Sequence, residues 1–396
     1  MTTKGVWSGA LVLGLVLAWS GAASAQTGFC GDVDTCKVAT DRPAAVLIYP
    51  KIEVDPDAGV DTVVQLTTVS EAPVSVRCSY LNANGHCSND DSICFADIQC
   101  SGFARCEQSW SETDFRITLT RLQPLSWNAS QGLTVLPCDF FTGGGVGCLQ
   151  RNDGRIPPVP EDTFIGELKC IEVDDSDAPL DFNDLIGEAT TVRSDGFALD
   201  ASKYNAIGVQ AIPGANDHDN RLCLGGVIET DKCPNAAEYA GCPQTLLMDH
   251  FFDGASVGSA GPITSALTLV PCSEDLLNAT PAPAITVQFL IFNEFEQRTS
   301  TSFRLRCFGH RNLSDIDTVV GSPGDDASSI FSVNTQGTIA GQTRITGVGS
   351  SGSANGLVGF LEEFYPCDNG PGGFCTAAVN LHEQGRRALS DVIQVP

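Results

Sequence analysis

Residues 74–80 read VSVRCSY, and residues 303–308 read FRLRCF. Val74, Val76, Cys78 and Tyr80 alternate with Ser75, Arg77 and Ser79, while Phe303, Leu305 and Cys307 alternate with Arg304 and Arg306. A period of two puts apolar side chains on one face of a sheet and polar ones on the other. The pattern repeats in FRITLT (115–120), and comparable runs follow: VLIYP (46–50), TVVQLTTV (62–69), GELKCIEV (166–173), TVQFLIF (286–292) and LVGFLEEF (357–364). Gly, Pro, Asn and Asp separate them, and long helical periodicity is missing. Many short strands between turn residues indicate sandwiches, not a parallel α/β sheet. The expected fold is all-β: two divergent immunoglobulin-like antiparallel β-sandwich domains with disulfide-clipped loops.

An ordered set of matches suggests that one β unit has been duplicated. AVLIYP (45–50) matches LTLVPC (267–272), DTVVQL (61–66) matches ITVQFL (285–290), VSVRC matches FRLRC, and FIGEL (164–168) matches LVGFL (357–361). LTVLPC (133–138) is then a chance look-alike. The expected division is a signal peptide at 1–25, an N-terminal segment at 26–39, a larger sandwich at 40–245 and a second sandwich at 246–366. A Cys-rich insertion occupies 81–109, and a polar tail with a loop closed by Cys367 and Cys375 fills 367–396.

The first residues carry one charge, Lys4, then an apolar run from Ala10 to Trp19, then Ala23-Ser24-Ala25. That order is a secretory signal with cleavage after Ala25, and the run is short for a membrane span. All 17 cysteines follow it. An exported chain so rich in cysteine is expected to be disulfide-bonded, and an odd number leaves at least one thiol over. No CxxC occurs, which speaks against structural zinc and c-type haem. The net charge of -26 opposes binding to nucleic acid and to anionic membranes, and it suits cations and basic partners.

The stretches SVRCSYLNANGHCSND (75–90), TLVPCSEDL (268–276) and VQFLIFNEFEQRTSTS (287–302) resemble a family of exported bacterial β-sandwich proteins. The resemblance implies export from a bacterium, and no activity comes with it.

Candidate chemistry is sparse. NDHDN (216–220) offers Asp217, His218 and Asp219, and DHFFD (249–253) offers Asp249 and His250; together they form a candidate carboxylate–imidazole metal set. DDSDAPLDFND (174–184) adds Asp174 and Asp177, whose hard oxygens suit calcium. GVGSSG (347–352) and GASVG around Ser256 match a dinucleotide loop and a nucleophile elbow, but the strand–turn–helix context of both motifs is missing. Glu294 and Glu296 read as a hairpin tip. No catalytic or cofactor-binding residue is expected; the Asp-rich turns suggest calcium first and, where histidine joins them, a transition metal second.

The leading expectation is an exported, non-enzymatic scaffold or binding protein for a protein or cell-surface partner, with loops 81–109 as a binding surface. Alternatives are a secreted hydrolase or metal-dependent enzyme using the Asp/His turns, and a surface-layer or filament subunit.

Overall fold

The computed structural model describes residues 30, 35–94, 99–108, 110–133, 156–194, 199–217, 219–225, 237–256, 261–278, 280, 284–317, 329–349, 355–367, 374–389 and 391–396. The expected signal peptide, His218, Cys138, Cys148 and Cys233 lie outside them.

Alternating strands need a second layer to cover their apolar face, and here two pairs of antiparallel sheets supply it. The first pair has a six-stranded sheet in the order Val38–Ala39, Ile207–Val209, Val46–Val54, Phe164–Val173, Val74–Asn82, Ser111–Leu119. Facing it are Leu199–Asn205, Leu185–Ser194, Val60–Thr68 and Pro124–Asn128. Tyr49, Val64, Leu66, Tyr80, Phe115 and Trp127 fill the space between. The Trp127 indole donates to Tyr80 Oη at 2.6 Å, so both polar tips are satisfied inside an apolar core.

The second pair sets the order Arg298–Leu305, Ile285–Asn293, Ala340–Val348, Pro243–Phe251, His382–Arg387 against Gly309–Asn312, Thr264–Pro271, Leu357–Pro366, Phe374–Asn380. Met248, Leu269, Val287, Phe289, Ile345 and Leu361 form its core. All-β antiparallel architecture is thus the fold of the chain. The expected break at 245/246 falls inside Pro243–Phe251, a strand of the second pair. Segment 367–396 is not a free tail, since it supplies Phe374–Asn380, His382–Arg387 and Asp391–Gln394.

One expected strand match does not hold in the sheets. Val74–Asn82 lies beside Phe164–Val173, whereas Arg298–Leu305 is an edge strand beside Ile285–Asn293. Alternation reports which face of a strand is buried, not which neighbour it takes. Two of the other matches do sit together: Val46–Val54 pairs with Phe164–Val173, and Thr264–Pro271 pairs with Leu357–Pro366, both antiparallel.

The strand Phe164–Val173 is buried on both faces. Phe164, Leu168 and Cys170 enter the first core, while Ile171 and Val173 enter a further apolar cluster with Val46, Ile48, Val270, Val358 and Ile393. That cluster mixes residues of both sheet pairs, so the two halves share an apolar seam. A small sheet of Arg221–Leu224, Asp391–Gln394 and Glu274–Asp275 also spans the halves. Its last two strands pair in parallel.

The disulfides Cys30–Cys36, Cys78–Cys170, Cys87–Cys100, Cys94–Cys106, Cys242–Cys272 and Cys367–Cys375 are present, and Cys223 is also disulfide-bonded. Cys307 is a buried free thiol. So many disulfides place the folded chain in an oxidising compartment. Cys78 and Cys170 are directly opposed on neighbouring strands of one sheet, not across a sandwich. Replacing both with alanine should remove a constraint across 92 residues of chain. The expected cost is about 2–5 kcal/mol, read from urea unfolding midpoints.

Candidate functional site

Of the residues singled out as metal ligands, Asp217 and Asp219 are brought together with a third carboxylate. Asp217 Oδ1 accepts from the Asp219 N–H at 3.1 Å, and Asp219 Oδ1 accepts from the Arg221 N–H at 2.9 Å. These turns coil the loop against Glu238, which is buried. Glu238 Oε1 accepts from the Asp217 N–H at 2.9 Å and Oε2 from the Cys223 N–H at 3.1 Å. One oxygen from each of the three carboxylates lies within 4.8 Å of the others. Burial, with the charges of Asp217 and Asp219, pushes the Glu238 carboxyl up to about 7. Asp219 is also raised, by burial and by Asp217, against the pull of the Arg221 N–H. Converging hard oxygens whose mutual repulsion raises their proton affinity are the donors a calcium ion takes.

The other candidates are employed elsewhere. Asp174 Oδ1 closes a tight turn by accepting from the Ser176 and Ala178 N–H groups at 2.7 and 3.0 Å. Asp177 has a φ of 67° and accepts from Arg116 Nη1 at 2.8 Å. Asp249 is exposed and accepts from Gln342 Nε2 at 3.1 Å. His250 is buried, its Nε2 lying 2.8 Å from Thr343 Oγ1. Burial pulls its pKa down to about 4, so the ring is neutral. Asp249 and His250 line a shallow groove of about 540 Å³ with Phe251, Phe292, Glu294 and Glu363. They do not meet the Asp217 loop. Ser256 is exposed and bridges to Pro262, and Glu294 and Glu296 sit on an exposed hairpin tip.

The strongest electrostatics lie where the sequence reading did not look, on the outward face of the six-stranded sheet. Two short patterns face each other there on neighbouring strands: Lys51-x-Glu53 and Glu167-x-Lys169. The register shifts between Gly166 and Leu168, leaving Pro50 and Lys51 as the extra residues of a bulge. Lys51 is fully buried, with Nζ 2.6 Å from Glu362 Oε2 and 2.8 Å from Glu53 Oε2. Arg193 Nη2 joins the same carboxylates at 3.0 and 3.4 Å. Burial alone would raise Glu53, but Lys51 and then Arg193 outweigh it and hold the carboxyl at about 2. Glu362 is lowered by the same cations against its own burial. His310 is depressed to about 4 by burial and by Lys51.

Lys169 is the second buried lysine. Its Nζ lies 2.8 Å from Glu167 Oε1 and also contacts Glu274 Oε2. Among the described residues, no arginine joins this group. Burial, and then the Glu167 charge, drives the Glu274 carboxyl well above its usual range, against the opposing pull of Lys169. Burial and the two glutamates push the neighbouring Cys307 thiol up to about 12. Each lysine is therefore held by one glutamate from its own half and one from the other half. The clue available in sequence was a lone Lys–Glu pair two residues apart inside an otherwise apolar strand.

Glu362→Gln should cost about 3–5 kcal/mol in chemical denaturation, because it leaves Lys51 short of a counter-charge in a dry site. Converting Lys51 to Met together with Glu362 to Leu should cost less than that single change. Acid should weaken the same junction. Glu53 is depressed, so its contribution is complete above pH 4.5 and is lost as pH falls toward about 2. Melting points of the parent and Glu53→Gln proteins across that range should converge at the acid end. No known family model matches the chain, and no curated protein compared with it is similar to it.

Proposed function

We propose that the chain is an exported, non-enzymatic scaffold that holds two β-sandwiches as one rigid body and presents loops to a protein or cell-surface partner. The observation that supports this best is the seam. It combines an apolar cluster built from both halves with two buried lysines, each shared between the halves. A hydrolase using the Asp/His turns would want Asp217 and His250 in one cleft. Asp217 instead turns to Glu238, and His250 is tied to Thr343 in a core.

The Cys-rich insertion is the candidate contact region. Its strands Gly85–Cys87, Ile93–Cys94 and Cys106–Gln108 form a small sheet clamped by Cys87–Cys100 and Cys94–Cys106. Phe103 stands fully exposed beside it. A rigid loop with an exposed aromatic costs little entropy to dock, and an acidic surface favours a basic partner.

Rigidity can be measured directly. Trp127, inside the first core, reports on the first half once Trp110, which packs against the seam, is replaced by Phe, whereas far-ultraviolet circular dichroism reports on both. Coincident urea transitions by the two probes are expected, and two separated transitions would remove the basis for a single rigid body.

Calcium is part of this reading, held by Asp217, Asp219 and Glu238. Glu238 is raised, so without a cation its stabilising effect is present below pH 4.5 and lost as pH rises through about 7. Added calcium should therefore raise the melting temperature, and by more at pH 7 than at pH 4.5. Glu238→Gln should abolish the increment.

A further inference from the structure

Each buried lysine faces two glutamates, but only the Lys51 group includes an arginine among the described residues, and the difference has chemical consequences. Around Lys51, Arg193 supplies a second cation, and both glutamates are held ionised. A carboxylate anion resists attack by an amine, so this group remains an ion pair. Around Lys169 one cation faces two carboxyls, with Glu167 Oε1 at 2.8 Å and Glu274 in contact with Nζ. All three side chains are buried, and Glu167 Oε2 has no hydrogen-bond partner. Glu274 is firmly placed. Cys272, two residues before it, is bonded to Cys242, and its own strand is paired with Asp391–Gln394.

We infer that Lys169 and Glu274 condense to form an intramolecular isopeptide bond, with Glu167 as the proton-transferring residue. The Lys169 ammonium first gives one proton to Glu167, leaving a neutral amine. The amine lone pair attacks Cδ of the Glu274 carboxylic acid. The Cδ–hydroxyl bond breaks, and the hydroxyl leaves as water with a second proton taken from the nitrogen and relayed by Glu167. The new Nζ–Cδ amide keeps one hydrogen, and Glu167 retains the proton first removed from the ammonium. Nothing is oxidised or reduced, and no co-reactant is consumed. Two geometric features favour the step: fixed approach of the reacting groups, and exclusion of water that would reverse it. Burial raises the proton affinity of Glu274, while the two glutamates raise that of Lys169 against its burial, so the first proton transfer runs uphill.

The product would be a covalent strap between the two halves, spanning 105 residues of sequence. Unlike the disulfides, it would survive reduction.

Mass spectrometry decides the matter without any variant. The full chain, isolated after export, is denatured, reduced, alkylated and digested. The expected result is one branched species joining the peptides that carry Lys169 and Glu274, lighter than their sum by one water. The peptides carrying Lys51 and Glu362 should be recovered separately. Glu167→Gln, with folding verified by its melting curve, should yield the Lys169 and Glu274 peptides unjoined. Recovery of separate Lys169 and Glu274 peptides from the parent protein, with the Lys169 amine open to acylation, overturns the bond. A branch that persists in the Glu167 variant overturns the role of Glu167, and a branch at Lys51 overturns the electrostatic distinction.

Discussion

A charge cannot be left alone in a dry interior. Desolvating an ammonium or a carboxylate costs several kcal/mol, recovered only through close counter-charges and complete hydrogen bonding. The chain buries two ammonium groups between its halves, and the position of each follows from that requirement. Lys51 is paired with Glu53 and with Glu362 of the far half, and Lys169 is paired with Glu167 while Glu274 of the far half reaches its Nζ. The halves therefore cannot separate without exposing apolar surface and stranding charge together. An apolar seam alone tolerates sliding, whereas paired charges fix one register.

The rest of the architecture serves this seam. The six-stranded sheet carries apolar residues on both faces of its central strands, one face for its own sandwich and one for the neighbour. Tyr204 stacks on Phe360 with ring centroids 4.3 Å apart, joining the halves next to the Lys51 group. Arg193 lies over the Phe364 ring at 5.3 Å while bridging Glu53 and Glu362. The guanidinium thus balances charge and packs against an aromatic face from the other half.

The all-β class was legible from alternation alone, because each half-buried strand writes its period into the sequence. Disulfide bonding was legible from the cysteine content of a chain expected to be exported, and of the individual pairs only the loop closed by Cys367 and Cys375 was read in advance. Cys78–Cys170 and Cys242–Cys272 were not, since they join strands distant in sequence. Asp217 and Asp219 were found because they are adjacent, whereas Glu238 was missed because its approach depends on the fold. Lys51 and Lys169 were missed for a different reason. On a strand with one wet face, a lysine every second residue is ordinary, and only the second sandwich makes that face dry. The VSVRC and FRLRC likeness misled for the converse reason: similar alternation served one interior strand and one edge strand.

The strand Asp391–Gln394 lies between Arg221–Leu224 and Glu274–Asp275. A ribosome makes those three segments in an order that leaves the middle one until last. During synthesis, the two earlier segments must wait with their edges open. The first sandwich can collapse early, but Glu274 gains its strand partner only once residue 394 has arrived. The sheet that ties the two halves is therefore completed late, and the seam becomes rigid only after residues 391–394 have been made.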